Sequence, residues 1–287
     1  MAAALACGGS GIASAQSGGT PDTGAAGTSG STGSSGSDGS LALKTEAARP
    51  GRIFAFGTRR ATYHFEIGGA KRKNLKIEAV NRKSWRVVRR WRRDGVRPGT
   101  RQTIHWSGTN RKGRAVGSGM YLFRVRTRSG VIADRSRTKS DDRSFGVYPD
   151  KFPVRARHAY GDGYGAPRSG HLHQGQDVLA KCGSKLVAGR GGRVQYRAYQ
   201  ASGAGYYVVI DGRGTGQDFV YMHLQRRGRP KRGARVRTGE RIGWVGHTGD
   251  ATGCHLHFEM WSRPGWYEGG HAMRSVTHHL RAWDGWS

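Results

Sequence analysis

The segment His255-Leu-His-Phe-Glu-Met260 decides how the second half of this chain is read. Its two histidines stand two residues apart in an otherwise apolar run, so on a strand both imidazoles project from one face. Four similar runs precede it: Arg193-Val-Gln-Tyr-Arg197, Tyr206-Tyr-Val-Val-Ile210, Phe219-Val-Tyr-Met222 and Ile242-Gly-Trp-Val245. Each is short and bounded by Gly-rich turns, which predicts an antiparallel sheet rather than an alternating α/β arrangement. After the last run, Val276, Leu280 and Trp283 fall on one helical face, predicting a short covering helix.

Working outward, residues 50–148 also read as all-β. Leu75-Lys-Ile-Glu-Ala-Val80 alternates apolar and polar, as Met120-Tyr-Leu-Phe-Arg-Val-Arg126 does in part. Trp85-Arg-Val-Val88 and Gln102-Thr-Ile-His-Trp106 lie between them, with turn signals at Pro98-Gly99, Ser107-Gly108 and Gly117-Ser118-Gly119. Short strands with a turn about every ten residues predict a β-sandwich. His64 and His105 read as ordinary strand residues. Residues 8–40 are almost entirely Gly, Ser, Thr and Ala, and this tract accounts for a hydrophobic content of only 35% in 287 residues. Such a composition buries too little apolar area to offset chain entropy, so it reads as a disordered linker. The expected fold is therefore mostly β, in three parts: a truncated export signal with a disordered linker over 1–47, a β-sandwich over 48–148, and an antiparallel β-sheet domain with a short C-terminal helix over 149–287.

The formal charge of +30, spread from Arg49 to Arg281, favours polyanions such as nucleic acid, anionic lipid or the acidic polymers of a cell wall. No nucleic-acid reading motif or basic helix accompanies it, so a specific nucleic-acid partner is not expected. Cys182 and Cys254 lie in the C-terminal part and suit one disulfide in an oxidising compartment. The start, Met1 to Cys7, lacks a basic n-region and has about half the ~7–15 apolar residues of a signal peptide. Ala13-Ser14-Ala15 nevertheless looks like a signal-peptidase site, and Leu5-Ala6-Cys7 loosely like a lipoprotein box. An incomplete export signal and a secreted or wall-associated protein are the expectation; a small-residue cytoplasmic N-terminus is the plain alternative. No stretch approaches the ~20 apolar residues of a membrane span.

Three motifs follow in order: His173-Gln-Gly-Gln-Asp177, Tyr221-Met-His223-Leu224 and His255-Leu-His257. In the first, a central Gly lets the backbone turn so that His173 and Asp177 could reach one ion. Neutral imidazole and carboxylate are donors that suit zinc. Singly, each motif has an ordinary structural reading: an H-x-H in a strand, a hydrogen-bonded surface turn, a buried strand histidine. Together, within about 90 residues, they carry more weight.

Their order and spacing resemble the lysostaphin-type zinc metallopeptidases of bacterial cell walls. The resemblance covers about residues 165–285 and extends through Asp177-Val-Leu-Ala180, Lys185-Leu-Val-Ala-Gly189, Gly239-Glu-Arg-Ile-Gly-Trp-Val-Gly246 and Thr252-Gly-Cys-His-Leu-His-Phe-Glu259. It implies one Zn2+ per chain, bound by His173, Asp177 and His257, with His223 and His255 off the metal and serving catalysis. Three protein ligands leave a position for water, as in catalytic rather than structural zinc sites. His255 is the expected general base and His223 the group that assists or stabilises the oxyanion, although the two roles could be exchanged. The implied activity is endopeptidase cleavage of peptidoglycan stems or cross-bridges by a monomer, with peptidoglycan and anionic wall polymers as partners. A catalytically silent wall-binding or hydrolase-activating adaptor is the alternative. Cys254 departs from the family pattern, which has Pro or another small residue there. If Asp177 and His257 meet at one ion, the sulfurs of Cys182 and Cys254 come close, and a disulfide bracing the site is expected; thiols binding metal are the lesser alternative. His158, His171, His247, His271, His278 and His279 lack a motif partner and read as solvated, with His171 near enough to line a groove. Separately, Thr103 to Gly113 and Val116 to Tyr121 resemble the immunoglobulin-like module of flagellar hook-capping proteins, implying a spacer or binding module.

Overall fold

A computed structural model of the protein describes residues 41–45, 48–135 and 144–287. The expected export signal, Cys7 and the Gly/Ser-rich linker lie outside the described residues. The described residues cluster as one compact unit, and its two large hydrophobic cores are organised by two sets of strands.

The first set comprises β1 (Leu41–Thr45), β2 (Arg52–Phe54), β3 (Ala61–Ile67), β4 (Lys73–Asn81), β5 (Val87–Val96), β6 (Gln102–Trp106), β7 (Gly119–Thr127), β8 (Ala133–Arg135) and β9 (Phe145–Tyr148). They form a four-stranded sheet, β6-β3-β1-β8, and a five-stranded sheet, β2-β9-β7-β4-β5. Alternation along β3 and β4 sends Tyr63, Phe65, Leu75 and Ile77 inward, where they meet Trp106, Phe123 and Phe145 in one aromatic-rich core. Most pairings are antiparallel; β1–β8 and β2–β9 are parallel. Two sequence expectations are corrected here. Trp85 lies in the turn before β5 with φ 55, and the strand continues through the charged run Arg89–Gly95 to Val96. β1 lies in a stretch that composition alone assigned to the N-terminal segment; it pairs with β3, and Leu41 enters the core.

The second set comprises β10 (His158–Tyr160), β11 (Pro167–Arg168), β12 (His171–Leu172), β13 (Gln176–Ala180), β14 (Lys185–Val187), β15 (Gly192–Gln200), β16 (Gly205–Gly212), β17 (Asp218–Leu224), β18 (Arg235–Val236), β19 (Arg241–Trp244) and β20 (His255–Trp261), closed by helix α1 (Val276–Trp286). Seven of these strands build one sheet in the order β10-β13-β20-β17-β16-β15-β18, with every pairing antiparallel. One face of this sheet buries Val208, Ile210, Phe219, Tyr221, Leu256 and Phe258 against the β14–β19 pair and the Val276, Leu280, Trp283 face of α1. The strands and helix face expected from the apolar runs are therefore present. Alternation sends His255, His257, Glu259 and Trp261 to the opposite face, and this face carries the candidate site.

Candidate metal centre and active site

β13 and β20 pair in a register that sets Asp177 opposite His257 and Leu179 opposite His255. His173 lies just before β13, and its amide donates to Ala166 O at 2.9 Å. The result is a compact triangle. His173 Nε2 is 2.8 Å from His257 Nδ1 and 3.0 Å from Asp177 Oδ1, and His257 Nδ1 is 2.9 Å from the same carboxylate oxygen. All three side chains are largely buried. The expected central Gly has a different role from the one read in sequence. A Cβ on Gly175 would stand 2.5 Å from Phe258 O and 2.8 Å from His257 Nε2, so glycine is needed for close approach of the chain to β20.

The second nitrogen of each ring fixes what the first can do. His173 Nδ1 faces Gly163 O at 2.8 Å, and a carbonyl only accepts, so this nitrogen carries the proton and Nε2 presents a lone pair. His257 Nε2 faces Glu259 Oε1 at 2.9 Å, which assigns its proton in the same way and leaves Nδ1 as the donor atom. With His257 uncharged, two imidazole lone pairs and a carboxylate oxygen thus converge with no N–H among them. Three acceptors within 3.0 Å repel unless a cation joins them, and this donor set fits zinc. Burial opposes charge on His257, but hydrogen bonds to Asp177 and Glu259 outweigh it and raise its pKa to about 9. Burial likewise opposes ionisation of Asp177, and its contacts with the His173 and His257 rings overcome this and hold the carboxyl well below the usual range.

His255 and His223 stand beside the triangle, their ring centroids 4.6 Å apart. His255 Nδ1 donates to Gly253 O at 2.9 Å, and its Nε2 lies 3.8 Å from Asp177 Oδ1. His223 Nδ1 donates to Thr248 O at 2.8 Å. Both rings therefore hold a free Nε2 lone pair. Burial pushes the His223 pKa down to about 4, assisted by His255 and His257, so the ring is uncharged at neutral pH. The location of His223 is not what simple alternation gives. Phe219 and Tyr221 point into the core, and position 223 would follow them. His223 instead has φ 58, beside an irregular register between β16 and β17, and its side chain comes out among the cavity residues next to Met222. A left-handed conformation in a non-glycine residue is sparsely populated and is tolerated where the surroundings impose it. Here Thr248 supplies that restraint, since its hydroxyl also donates to Leu224 O and accepts from the Tyr206 amide.

The five residues border one cavity of about 1100 Å³, also lined by His171, Arg168, Met222 and Ala204. Two contributors escaped the sequence reading. Glu259 accepts from His257 and, through Oε2, from Trp261 Nε1 at 2.6 Å; its position two residues after His257 on one strand face was a signal available in the sequence. Arg168 donates to Asp177 Oδ2 at 3.3 Å and to Asp162 at 2.9 Å, and no spacing announced it. The Cys182–Cys254 disulfide is formed, with a Cα separation of 5.3 Å. It ties the end of β13 to the start of β20, and His247 Nδ1 lies 3.6 Å from Cys254 Sγ. Among the remaining histidines, His158 departs from the solvated reading: its ring stacks on Phe152 at 4.4 Å and bonds Asp284 at 3.1 Å.

Residues 171–272, which include all five side chains, match the model of peptidase family M23. The C-terminal part of the chain is an M23 domain of the lysostaphin type. Over 120 residues the chain is 37% identical to an uncharacterized metalloprotease of Haemophilus influenzae, covering 41% of this chain and 25% of that protein. Over 88 residues it is 41% identical to the peptidoglycan DD-endopeptidase ShyC of Vibrio cholerae, covering 31% and 20% respectively. Among solved structures, the catalytic domain of lysostaphin from Staphylococcus simulans is 28% identical with a TM-score of 0.39, covering 43% of this chain and 92% of that one. The chain thus spans a quarter or less of the length of the curated relatives it matches. The family model covers residues 171–272 and does not extend to the sandwich.

Proposed function

We propose that the protein is a zinc-dependent metalloendopeptidase that hydrolyses peptide bonds of bacterial peptidoglycan outside the cytoplasmic membrane. The observation that carries this reading is the meeting of three acceptor atoms, His173 Nε2, Asp177 Oδ1 and His257 Nδ1, within 3.0 Å on a cavity wall. Those residues would hold the metal. Zinc bound there would supply Lewis acidity, polarising a carbonyl and bringing the pKa of water from near 16 toward about 7. The similarity to proteins described as a peptidoglycan endopeptidase and as lysostaphin supports the substrate class.

The chain's own residues then manage the proton. His255 holds its Nδ1 proton against Gly253 O, so Nε2 is free to accept a proton from the attacking water and return it to the departing amine nitrogen. His223 is uncharged and has no N–H directed at the cavity, because Nδ1–H is engaged by Thr248 O. Its Nε2 therefore accepts a hydrogen bond and orients the water, rather than donating to an oxyanion. Arg168 and Glu259 hold Asp177 and His257 in place from outside the triangle.

Digestion of defined muropeptides, with mass spectrometry of the products, tests this reading. Pairs of peptide fragments whose summed mass exceeds that of the parent by one water, lost with a chelator and restored by zinc, are the expected result. Zinc-loaded protein that leaves every stem and cross-bridge intact would overturn it.

A further inference from the structure

The five-stranded sheet of the sandwich carries on its outer face a charge pattern that packing does not explain. β5, β4 and β7 lie side by side, and their register sets Arg92 opposite Lys76 and Lys76 opposite Arg126. The next outward-facing row sets Arg90 opposite Glu78 and Glu78 opposite Arg124. Five cations and one carboxylate therefore occupy two rows, about 7 Å apart along the strands and about 10 Å across three of them. Like charges directly opposite one another destabilise a sheet, and one row consists of three of them.

Glu78 explains how the pattern is held but does not neutralise it. Its side chain is fully buried beneath the arginines, accepting from Arg90 Nε at 3.0 Å, Arg124 Nη2 at 2.7 Å and Arg126 Nη2 at 3.0 Å. One carboxylate thus orders three guanidinium groups and leaves the two rows with a surplus of four positive charges. Among the described residues Arg126 Nε has no hydrogen-bond partner. Arg92 is exposed, and among the described residues neither it nor Lys76 forms an ion pair with a carboxylate; Lys76 Nζ donates to Arg128 O at 3.0 Å. Guanidinium forks held in a fixed plane suit the oxygens of phosphate groups.

We infer that this face is a docking surface for a phosphodiester-linked anionic polymer of the cell wall, which holds the peptidase domain against its substrate. The polymer chemistry follows from the ordered cations; its location in the wall rests on the proposed peptidase reading. A chain of repeating phosphates can place several charges across three strands, whereas a single small anion would meet one row.

The test is sedimentation of the full chain carrying Asp177→Asn, which separates binding from hydrolysis, with wall sacculi bearing polyglycerol phosphate. Lys76→Gln with Arg92→Gln removes two charges from the face, and Arg111→Gln with Lys112→Gln removes two from an exposed turn on the same module. Near-ultraviolet circular dichroism checks that each variant is folded. The face variant should bind about tenfold or more weakly at 0.1 M salt, with the log–log salt slope reduced by about two. The turn variant should bind within about twofold of its parent, and hydrofluoric-acid extraction of the phosphodiester polymer should abolish the difference between the variants. Equal losses in both variants would reduce the effect to net charge and overturn the inference. So would unchanged binding to extracted sacculi, or a preference for duplex DNA of equal phosphate content. Hydrolysis of soluble muropeptides by the corresponding chains with Asp177 intact is read separately, so loss of docking and loss of peptidase function are distinguishable.

Discussion

Glu259→Gln removes one charge and almost no volume, which makes it a sharp probe of how the metal centre is organised. Glu259 is buried and serves two donors at once, His257 Nε2 through one oxygen and Trp261 Nε1 through the other. A glutamine has a single carbonyl oxygen. If that oxygen keeps the histidine, the amide faces the indole N–H, two donors meet, and a buried group goes unsatisfied at a cost of about 1–3 kcal/mol. If the amide instead faces His257, the ring is driven to the other tautomer, and the proton moves to Nδ1, the atom that must face the metal. Either arrangement weakens binding, and loss of a carboxylate behind a ligating histidine costs about 10–100-fold in metal affinity, or about 1.4–2.7 kcal/mol. Competition with a chromophoric chelator at neutral pH measures this directly. A Glu259→Gln protein that is folded and binds zinc within about twofold of the parent would refute the role given to the Glu259 carboxylate behind His257.

His255→Ala should keep close to one zinc per chain by elemental analysis while kcat/KM falls by about 10²–10⁴; full turnover would transfer the base role to His223. Zinc uptake should be coupled to proton release. The His257 pKa of about 9 in the metal-free protein means that at pH 7 the ring carries a proton that must leave before Nδ1 can bind. Calorimetry in buffers of different ionisation enthalpy should therefore show release of about one proton at pH 7, with affinity rising about tenfold per pH unit and levelling above pH 9. Replacing Cys182 and Cys254 by Ser opens a crosslink spanning 72 residues and should lower stability by up to about 4 kcal/mol, read as a drop in the denaturant midpoint without loss of zinc.

Much of the M23 domain is legible from apolar runs, because its strands bury one face and the Gly-rich turns between them mark their ends. The convergence of His173, Asp177 and His257 is legible for a different reason: their residue types and order resemble a known family, and the β13–β20 register then brings Asp177 and His257 level. What escapes the sequence depends on local geometry. Alternation would send His223 into the core beside Tyr221, and only its positive φ, held by Thr248, brings it out to the cavity. The apolar signal for β5 stops at Val88 and its continuation is mainly charged, yet Trp91 supplies an inward contact with the sandwich core and the arginines occupy the outer face. Arg168 reaches Asp177 from the short β11–β12 hairpin, a contact set by tertiary folding alone.

Anomalous diffraction at the zinc absorption edge from crystals of the zinc-loaded protein shows whether one divalent cation is shared by His173, Asp177 and His257. A single strong peak about 2.0–2.2 Å from His173 Nε2, Asp177 Oδ1 and His257 Nδ1 is the expected result. A peak at Cys182, His247 and Cys254 instead, or none within bonding distance of the three atoms, would rule out the shared site.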